Sequence, residues 1–350
     1  MGFEMSWLLN IANHQINEGN LKELRTGLPE WAREVLDFVE LYLSKPASIT
    51  QKSSGSTGKP KEIELSFSQI QQSALRSLEY FSLKESSKAL LCLPPAYIGG
   101  KMMIIRALEA GLHLHCIKAS ADADKFPEID LDFAAMTPMQ IASIVSTKPL
   151  LVKRYKKIIL GGAAVSKALE DSLASFDSEI YETYGMTETA SHVALRKLGT
   201  QNFQGLKGLG FSTDSQERLI IQDQILGIKK LQTNDVVKLE SANSFKWLGR
   251  ADWVVNSGSL KFHPEHIERK LSGVIEEDFF VAGMPDERLG EKLCLIYASN
   301  DVLSNDKKEL IATRLGKYEI PKTYLRVDDM MYNAAGKLDR KNSLKYALEL

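Results

Sequence analysis

The stretch Ser53-Ser54-Gly55-Ser56-Thr57-Gly58-Lys59-Pro60-Lys61 concentrates the residue types that surround an anion. Glycines let the backbone come close, so that exposed amides, hydroxyls and a lysine can close around phosphate oxygens. A flexible linker would share the glycines and serines, but Lys59-Pro60-Lys61 and the flanking strand-like and helical segments favour a binding loop. It is not a G-x-x-x-x-G-K-[ST] loop. With Gly58 and Lys59 in register, the first glycine falls on Ser53 and the Mg²⁺-binding hydroxyl on Pro60. A second cluster, Tyr184-Gly185-Met186-Thr187-Glu188-Thr189, offers an aromatic face for a base, a hydroxyl for a phosphate and a carboxylate for Mg²⁺. Gly161-Gly162-Ala163 follows an apolar run, at the kind of strand end where open α/β sheets bind ligands.

In their order along the chain these stretches resemble the motifs of the adenylate-forming superfamily, which includes acyl-CoA synthetases, luciferases and the adenylation domains of peptide synthetases. The resemblance implies that Ser54, Gly55, Ser56, Thr57, Gly58 and Lys59 hold the phosphates of ATP. It implies that Gly161, Gly162 and Ala163 lie against the adenine plane and that Tyr184 stacks on it, with Gly185 and Met186 in the same motif. Thr187 would touch the α-phosphate and Glu188 would hold Mg²⁺. Thr233-Asn234-Asp235 is similar to the family's Thr-Gly-Asp, with Asn, a residue tolerant of left-handed backbone, in place of Gly. Asp235 would accept hydrogen bonds from the ribose. Gly249-Arg250-Ala251-Asp252 is similar to the hinge motif, so Arg250 would reach the ribose and Asp252 would be the pivot. The stretch from Ser257 to Glu268 resembles the family's Gly-Gly loop and its Pro-x-Glu-Ile-Glu helix start. Gly258 and Ser259 would serve the thioester step with CoA, Ser259 standing where a second glycine is common. Asn333-Ala334-Ala335-Gly336-Lys337-Leu338-Asp339-Arg340 resembles the catalytic-lysine motif, with Met331 near the place of its usual proline. Lys337, Thr187 and Glu188 would be the catalytic set.

The loop at 53–61 lies close to the first residue, and the segment from Glu188 to Asp235 is compact. In both respects the chain resembles the short o-succinylbenzoate–CoA ligases of menaquinone biosynthesis. The stretch from Leu91 to Lys101 is similar to their acyl-pocket segment, with Tyr97 where His is common. The implied reaction activates a carboxylate with ATP and Mg²⁺ as an acyl-AMP and passes the acyl group to CoA. Such an acid carries a second carboxylate that needs a cation or several donors. Lys101, His192 and Arg196 are the cations offered for it, beside Tyr97. Another aryl- or acyl-CoA ligase and a free-standing amino-acid adenylation domain are the alternatives. A non-catalytic nucleotide-binding relative would not be expected to keep Glu188, Asp235, Arg250 and Lys337 together.

These residues need elements to hold them. Apolar runs at Ala89–Leu93, His113–Ile117, Phe133–Met136, Lys157–Leu160 and Glu179–Tyr184 recur at the spacing of βαβ units, which bury a parallel sheet between helices. Residues 206–250 change to short alternating strands such as Arg218–Gln222 and Val236–Leu239. Residues 5–45 read as two amphipathic helices broken near Gly27-Leu28-Pro29, the second with Trp31, Val35, Phe38, Val39 and Tyr42 on one face. Ser68 with Gln71 reads as a capping box for a helix to Phe81. The expected fold is α/β: a large N-terminal domain, 1–250, with parallel sheets flanked by helices and a small β-subdomain. A small, mobile α+β domain, 251–350, follows it.

Composition bounds the rest. The 350 residues are 44% hydrophobic and 25% charged with a net charge of −1, so no basic field exists to hold nucleic acid or an anionic membrane. No apolar run approaches the roughly 20 residues of a membrane span, and no basic residue precedes Lys22, so no secretory signal is expected. Met1-Gly2-Phe3-Glu4-Met5-Ser6 fits the loose myristoylation pattern, which fixes too few positions to weigh much. Cys92, Cys116 and Cys294, odd in number and far apart, suit a reducing compartment, and a cytoplasmic location is expected. His113 and His115 share a strand face without a further ligand pattern, so no metal site is expected there. Lys153, Arg154, Lys156 and Lys157 read as a solvated face.

Overall fold

Near-continuous apolar runs become strands covered on both faces, and the computed structural model, which describes residues 7–25, 27–52, 61–332 and 338–350, places them so. The chain divides into two compact units: residues 1–165, 169–210 and 222–229 in the first, and 166–168, 211–221 and 230–350 in the second.

The first unit opens with a hairpin, β1 (Leu8–Ile11) and β2 (His14–Ile16), joined by Ala12 and Asn13 at φ of 47° and 67°. A two-residue turn with both φ positive matches the twist of hairpin strands. The helix expected here is therefore replaced by strands. Leu8, Leu9 and Ile11 fit either period over so short a run, and burial of Leu9, Ile11 and Ile16 follows the strand alternation. The second expected helix forms as α1 (Glu30–Leu43), burying Val35, Phe38, Val39 and Tyr42. An antiparallel pair, β3 (Ser48–Lys52) and β4 (Glu62–Ser66), leads into α2 (Phe67–Phe81). Its capping box is Ser66 with Gln69, two residues earlier than expected, because β4 runs through Ser66 and the helix begins at Phe67. Gln71 instead donates to the Glu109 carboxylate at 3.1 and 3.2 Å.

Then come β5 (Lys88–Leu91), α3 (Ile98–Ala110), β6 (His113–Cys116), β7 (Leu131–Met136), α4 (Pro138–Thr147), β8 (Tyr155–Leu160), α5 (Lys167–Leu173) and β9 (Glu179–Gly185). All five expected apolar runs are strands, and β1, β6, β5, β7, β8 and β9 pair in parallel in that order. Antiparallel strands β10 (His192–Lys197) and β11 (Phe203–Gly205) extend the sheet beyond β9. One core lies between this sheet and α4, where Leu90, Leu131, Ile141, Ile144, Ile158 and Leu160 meet.

Four strands follow as sheet neighbours: β12 (Leu209–Thr213), β13 (Arg218–Asp223), β14 (Ile228–Ser241) and β15 (Ser244–Arg250). Their residues 211–221 and 230–250 belong to the second unit. The rest of that unit is β16 (Val255–Ser257), β17 (Leu260–Phe262), α6 (Pro264–Leu271), β18 (Phe279–Asp286), β19 (Gly290–Ala298), α7 (Asn305–Arg314), β20 (Thr323–Val327) and α8 (Arg340–Glu349). Strands β18 and β19 run antiparallel, and β20 joins β19 in parallel. Alternation along them builds two cores. Val281, Leu293 and Leu295 pack with Ile267, Leu271 and Ile311, whereas Phe280, Cys294 and Ile296 pack with Val327 and Ala347. No helix of the described residues is long and apolar enough to cross a membrane.

Candidate functional site

In the first unit the expected nucleotide residues gather at the carboxyl ends of β8 and β9. Gly161 follows Leu160 directly, and a Cβ there would meet Thr183 Oγ1 at 2.8 Å, so the turn requires glycine. Thr183 donates its hydroxyl to the Leu160 carbonyl at 3.0 Å, which ties the two strand ends together. Gly162 turns the chain at φ 87°, and Gly162 and Ala163 are exposed. Tyr184 is half-buried, its ring edge-on to Phe203 with centroids 5.9 Å apart. Gly185 is packed so closely that a Cβ would lie 2.3 Å from the Ser191 carbonyl. Beyond it, Thr187–Thr189 form one 3-10 turn, and Met186 N–H donates to Thr189 Oγ1 at 3.0 Å. This turn leaves Glu188 exposed and Thr187 half-exposed beside it. Among the described residues no cluster of three or more His, Cys, Asp or Glu could hold a metal. A single carboxylate fits Mg²⁺, which is usually held by one or two carboxylates plus substrate phosphates.

The second unit brings Asp235, Arg250 and Asp252 together by itself. Asp235 and Arg250 are partners across β14 and β15. Trp247 Nε1 donates to Asp235 Oδ1 at 3.2 Å, and Asp235 N–H donates to Thr233 Oγ1 at 3.1 Å. Arg250 Nη2 donates to Asp252 Oδ2 at 2.8 Å, and its Nη1 stands 3.9 Å from Asp235. Asn234 lies within β14 without positive φ, so its tolerance of left-handed backbone is not used. Its amide reaches Asp252 Oδ1 at 3.3 Å instead. Gly258 and Ser259 form the tip of the β16–β17 hairpin. Only Gly258 has positive φ, 63°, so serine fits the second position without strain. Residues 54–59 and Lys337 lie outside the described residues.

The expected acyl-pocket cations fare differently. Tyr97 is 59% exposed at the start of α3. Lys101 donates to Gln51 Oε1 at 2.6 Å and lies over the Phe38 ring, with its pKa lowered by burial. His192 and Arg196 cannot present free charge. His192 is buried with Nε2 3.1 Å from Ser77 Oγ, and burial, with Arg106 and Arg76 nearby, holds it well below the usual histidine range and therefore neutral. Arg196 is wholly buried and spends its guanidinium on Glu182 at 2.8 Å and Glu170 at 3.1 Å. Neither offers a free cation here, because the charge of one is suppressed and that of the other is neutralised.

Three supporting residues were not found by sequence reasoning. Trp247 orients Asp235, and only the β14–β15 register reveals the pairing. Arg106, on the apolar helix α3, is buried without a carboxylate partner among the described residues, and donates to Ser77 and Ser191 at 3.3 and 3.2 Å. A lone charge inside Met-Met-Ile-Ile-Arg-Ala-Leu was its available signal. Glu265, in the first turn of α6, sits against the hinge motif. It accepts the Arg250 N–H at 3.3 Å, and a Cβ on Gly249 would lie 2.6 Å from its Oε2.

Burial raises the Glu265 pKa from 4.5 to about 7, with Glu268 adding to the rise and Arg340 opposing it. The folded chain then holds a proton between those values that the unfolded chain has released. This contribution to stability is present in full below 4.5 and is lost as pH rises through about 7. Denaturant unfolding at a series of pH values should show this decline, and Glu265→Gln should flatten it. An unchanged slope in the variant would refute the assignment.

Comparison with known proteins identifies the company this geometry keeps. The family model described as AMP-binding enzyme matches residues 47–224. A 2-succinylbenzoate–CoA ligase of Geobacillus is 26% identical over 92% of this chain and 74% of its own length. One of Staphylococcus epidermidis is 24% identical over 82% of this chain and 67% of its own. A Dyadobacter fermentans structure described as acyl-CoA synthetase (AMP-forming)/AMP-acid ligase II-like is 31% identical, with a TM-score of 0.63 over 93% of this chain and 97% of that one. The o-succinylbenzoate coenzyme A synthetase of Bacillus subtilis, solved with ATP and magnesium ion, is similar in fold, with a TM-score of 0.74 at 20% identity over 84% of this chain and 69% of that one.

Proposed function

The chain belongs to the AMP-binding enzyme family, and within it we propose that it joins o-succinylbenzoate to CoA through an acyl-adenylate. The observation that carries this reading is the junction of β8 and β9. There a glycine turn, an aromatic ring, a hydroxyl and an exposed carboxylate share the carboxyl edge of a parallel sheet. The curated relatives named for this reaction support the choice of acid.

A carboxylate is a poor acyl donor because its oxide is a poor leaving group. Attack of the carboxylate oxygen on the α-phosphorus of ATP forms the acyl–phosphate bond and breaks the bond to pyrophosphate. Attack of the CoA sulfur on the acyl carbon then forms the thioester and releases AMP, with the thiol proton passing to solvent. Residues 161–163 and Tyr184 would hold adenine, and Asp235 and Arg250 the ribose. Thr187 and the loop at 54–59 would receive phosphate oxygens. Mg²⁺ held at Glu188 would offset the charge of two meeting anions. Lys337 would add a cation at the reacting phosphate. Movement of residues 251–350 against 1–250 about Asp252, which withdraws Lys337 and brings Gly258 and Ser259 to the thiol, belongs to the same proposal. So do a cytoplasmic location and a place in menaquinone biosynthesis.

With His192 neutral and Arg196 committed to two glutamates, Lys101 is the cation proposed for the ring carboxylate. An ATP- and CoA-dependent thioester assay over a panel of acids tests this. o-Succinylbenzoate should be preferred over its analogue lacking the ring carboxylate by roughly 10- to 100-fold in kcat/KM, the worth of one charged hydrogen bond. Equal specificity constants would remove the need for Lys101. Pyrophosphate exchange driven by amino acids alone would overturn the reaction assignment.

A further inference from the structure

A cavity of about 720 Å³ opens at the carboxyl ends of β1 and β6. These strands run in parallel register to Ile11 and Cys116, and the chain leaves them through the Ala12-Asn13 turn and residues 117–120. In sheet order β6 is three strands from β8, through β7 and β5. At ~4.8 Å per strand the cavity stands ~14 Å from the Gly161 turn, so it is a separate place on the same edge. Its size falls in the range of small-molecule sites, and carboxyl ends of parallel strands are where such sites form.

The lining has a marked chemistry. It includes Lys118, Lys125, His14 and His115, the amide side chain of Asn10 and the indole of Trp31, and no Asp or Glu. Lys118 and Lys125 are exposed, and neither makes an ion pair among the described residues. The nearby acids Asp124 and Glu128 are engaged instead by Lys148, at 3.0 and 3.2 Å. Asp122, between the two lysines in sequence, accepts the Asp124 N–H at 3.0 Å, so the cavity wall itself carries lysine and no carboxylate. Trp31, half-buried, is among the lining residues and adds a planar, largely apolar ring to them.

We infer that this cavity is a second ligand site, which takes a small organic anion carrying a planar ring. A nucleotide and an aryl carboxylate share that chemistry, and the arms of the test separate them. Calorimetric titration of the full chain with AMP, phthalate and inorganic phosphate should show one ring-bearing anion bound at this site. Its affinity should fall by about tenfold or more in the double variant Lys118→Glu/Lys125→Glu and stay unchanged in Asp235→Ala. Added salt should weaken it. Trp31→Ala should weaken the ring-bearing anion and leave inorganic phosphate unaffected. AMP as the retained ligand in Asp235→Ala would name a nucleotide, and phthalate an aryl carboxylate. Equal binding of every probe by the wild-type chain and the lysine variant, or no binding of any probe, would overturn the proposal. None of these readouts needs turnover, so failure of the ligase reading would leave the result standing.

Discussion

Replacing Lys337 with alanine is expected to slow acyl-adenylate formation by roughly 10²–10³-fold, the typical cost of removing one donor aimed at developing charge. Thioester formation from supplied acyl-AMP should be nearly unchanged. The asymmetry follows from the charges in each step. In the first, a carboxylate approaches a triphosphate, and every cation near the α-phosphate lowers the barrier. In the second, a thiol meets a mixed anhydride that has already lost pyrophosphate, and the demand for a cation is smaller. Described residues hold both ends of the segment that carries Lys337. Tyr332 and Leu338 form a bridge, and Asp339 N–H donates to the Met331 carbonyl at 2.8 Å. Arg340 closes on the Glu268 carboxylate at 2.7 and 2.5 Å. Lys337→Arg keeps the charge but not the compact ammonium, and should recover only part of the rate. Pyrophosphate release and single-turnover thioester formation are the two measurements. Equal loss in both would remove Lys337 from the chemistry.

The parts of the fold legible in the sequence are those whose burial is symmetrical. Strands β5, β7 and β8 are buried in continuous short apolar runs, and helices between most of the parallel strands leave one reading, whereas β6 alternates, with His113 and His115 only half-buried. The opening hairpin was not legible, because β1 is only four residues long and its neighbour β6 lies about a hundred residues away. The capping box of α2 was displaced because Ser66 and Ser68 each precede a glutamine by three residues, and only the end of β4 decides between them. At the site, residue types could be read but charge states could not. Whether His192 is an imidazolium depends on Ser77, Arg76 and Arg106, more than eighty residues away in sequence. Whether Arg196 is available depends on Glu170, which stands on a helix before β9. The apposition of Glu265 to Gly249 is likewise a tertiary fact, although both residues lie in recognisable motifs.

Arg196→Met should lower the unfolding free energy by about 3–5 kcal/mol, because it leaves two buried carboxylates without their cation. Burial alone would weaken the guanidinium, but hydrogen bonds and charge from Glu170 and Glu182 outweigh it and hold its pKa above the usual value. The group also donates to the Thr200 carbonyl at 2.7 Å, and Glu170 accepts the Gly199 N–H at 2.7 Å, so the turn after β10 depends on the same cluster. Glu182 faces both ways. One oxygen takes Arg196, and the other accepts the Val165 N–H at 2.9 Å, at the end of the segment that begins with Gly161. A repelled Glu182 would release that segment, so AMP affinity should fall along with stability. The midpoint of urea unfolding and the Kd for AMP measure the two effects. Adding Glu170→Gln and Glu182→Gln to Arg196→Met should restore much of the stability, since the uncompensated charges are then gone. A substrate-binding Arg196 would behave otherwise. Its loss would, besides shifting the unfolding midpoint, reduce the preference for o-succinylbenzoate over the analogue lacking the ring carboxylate, a preference that a buried ion-pair role leaves unchanged.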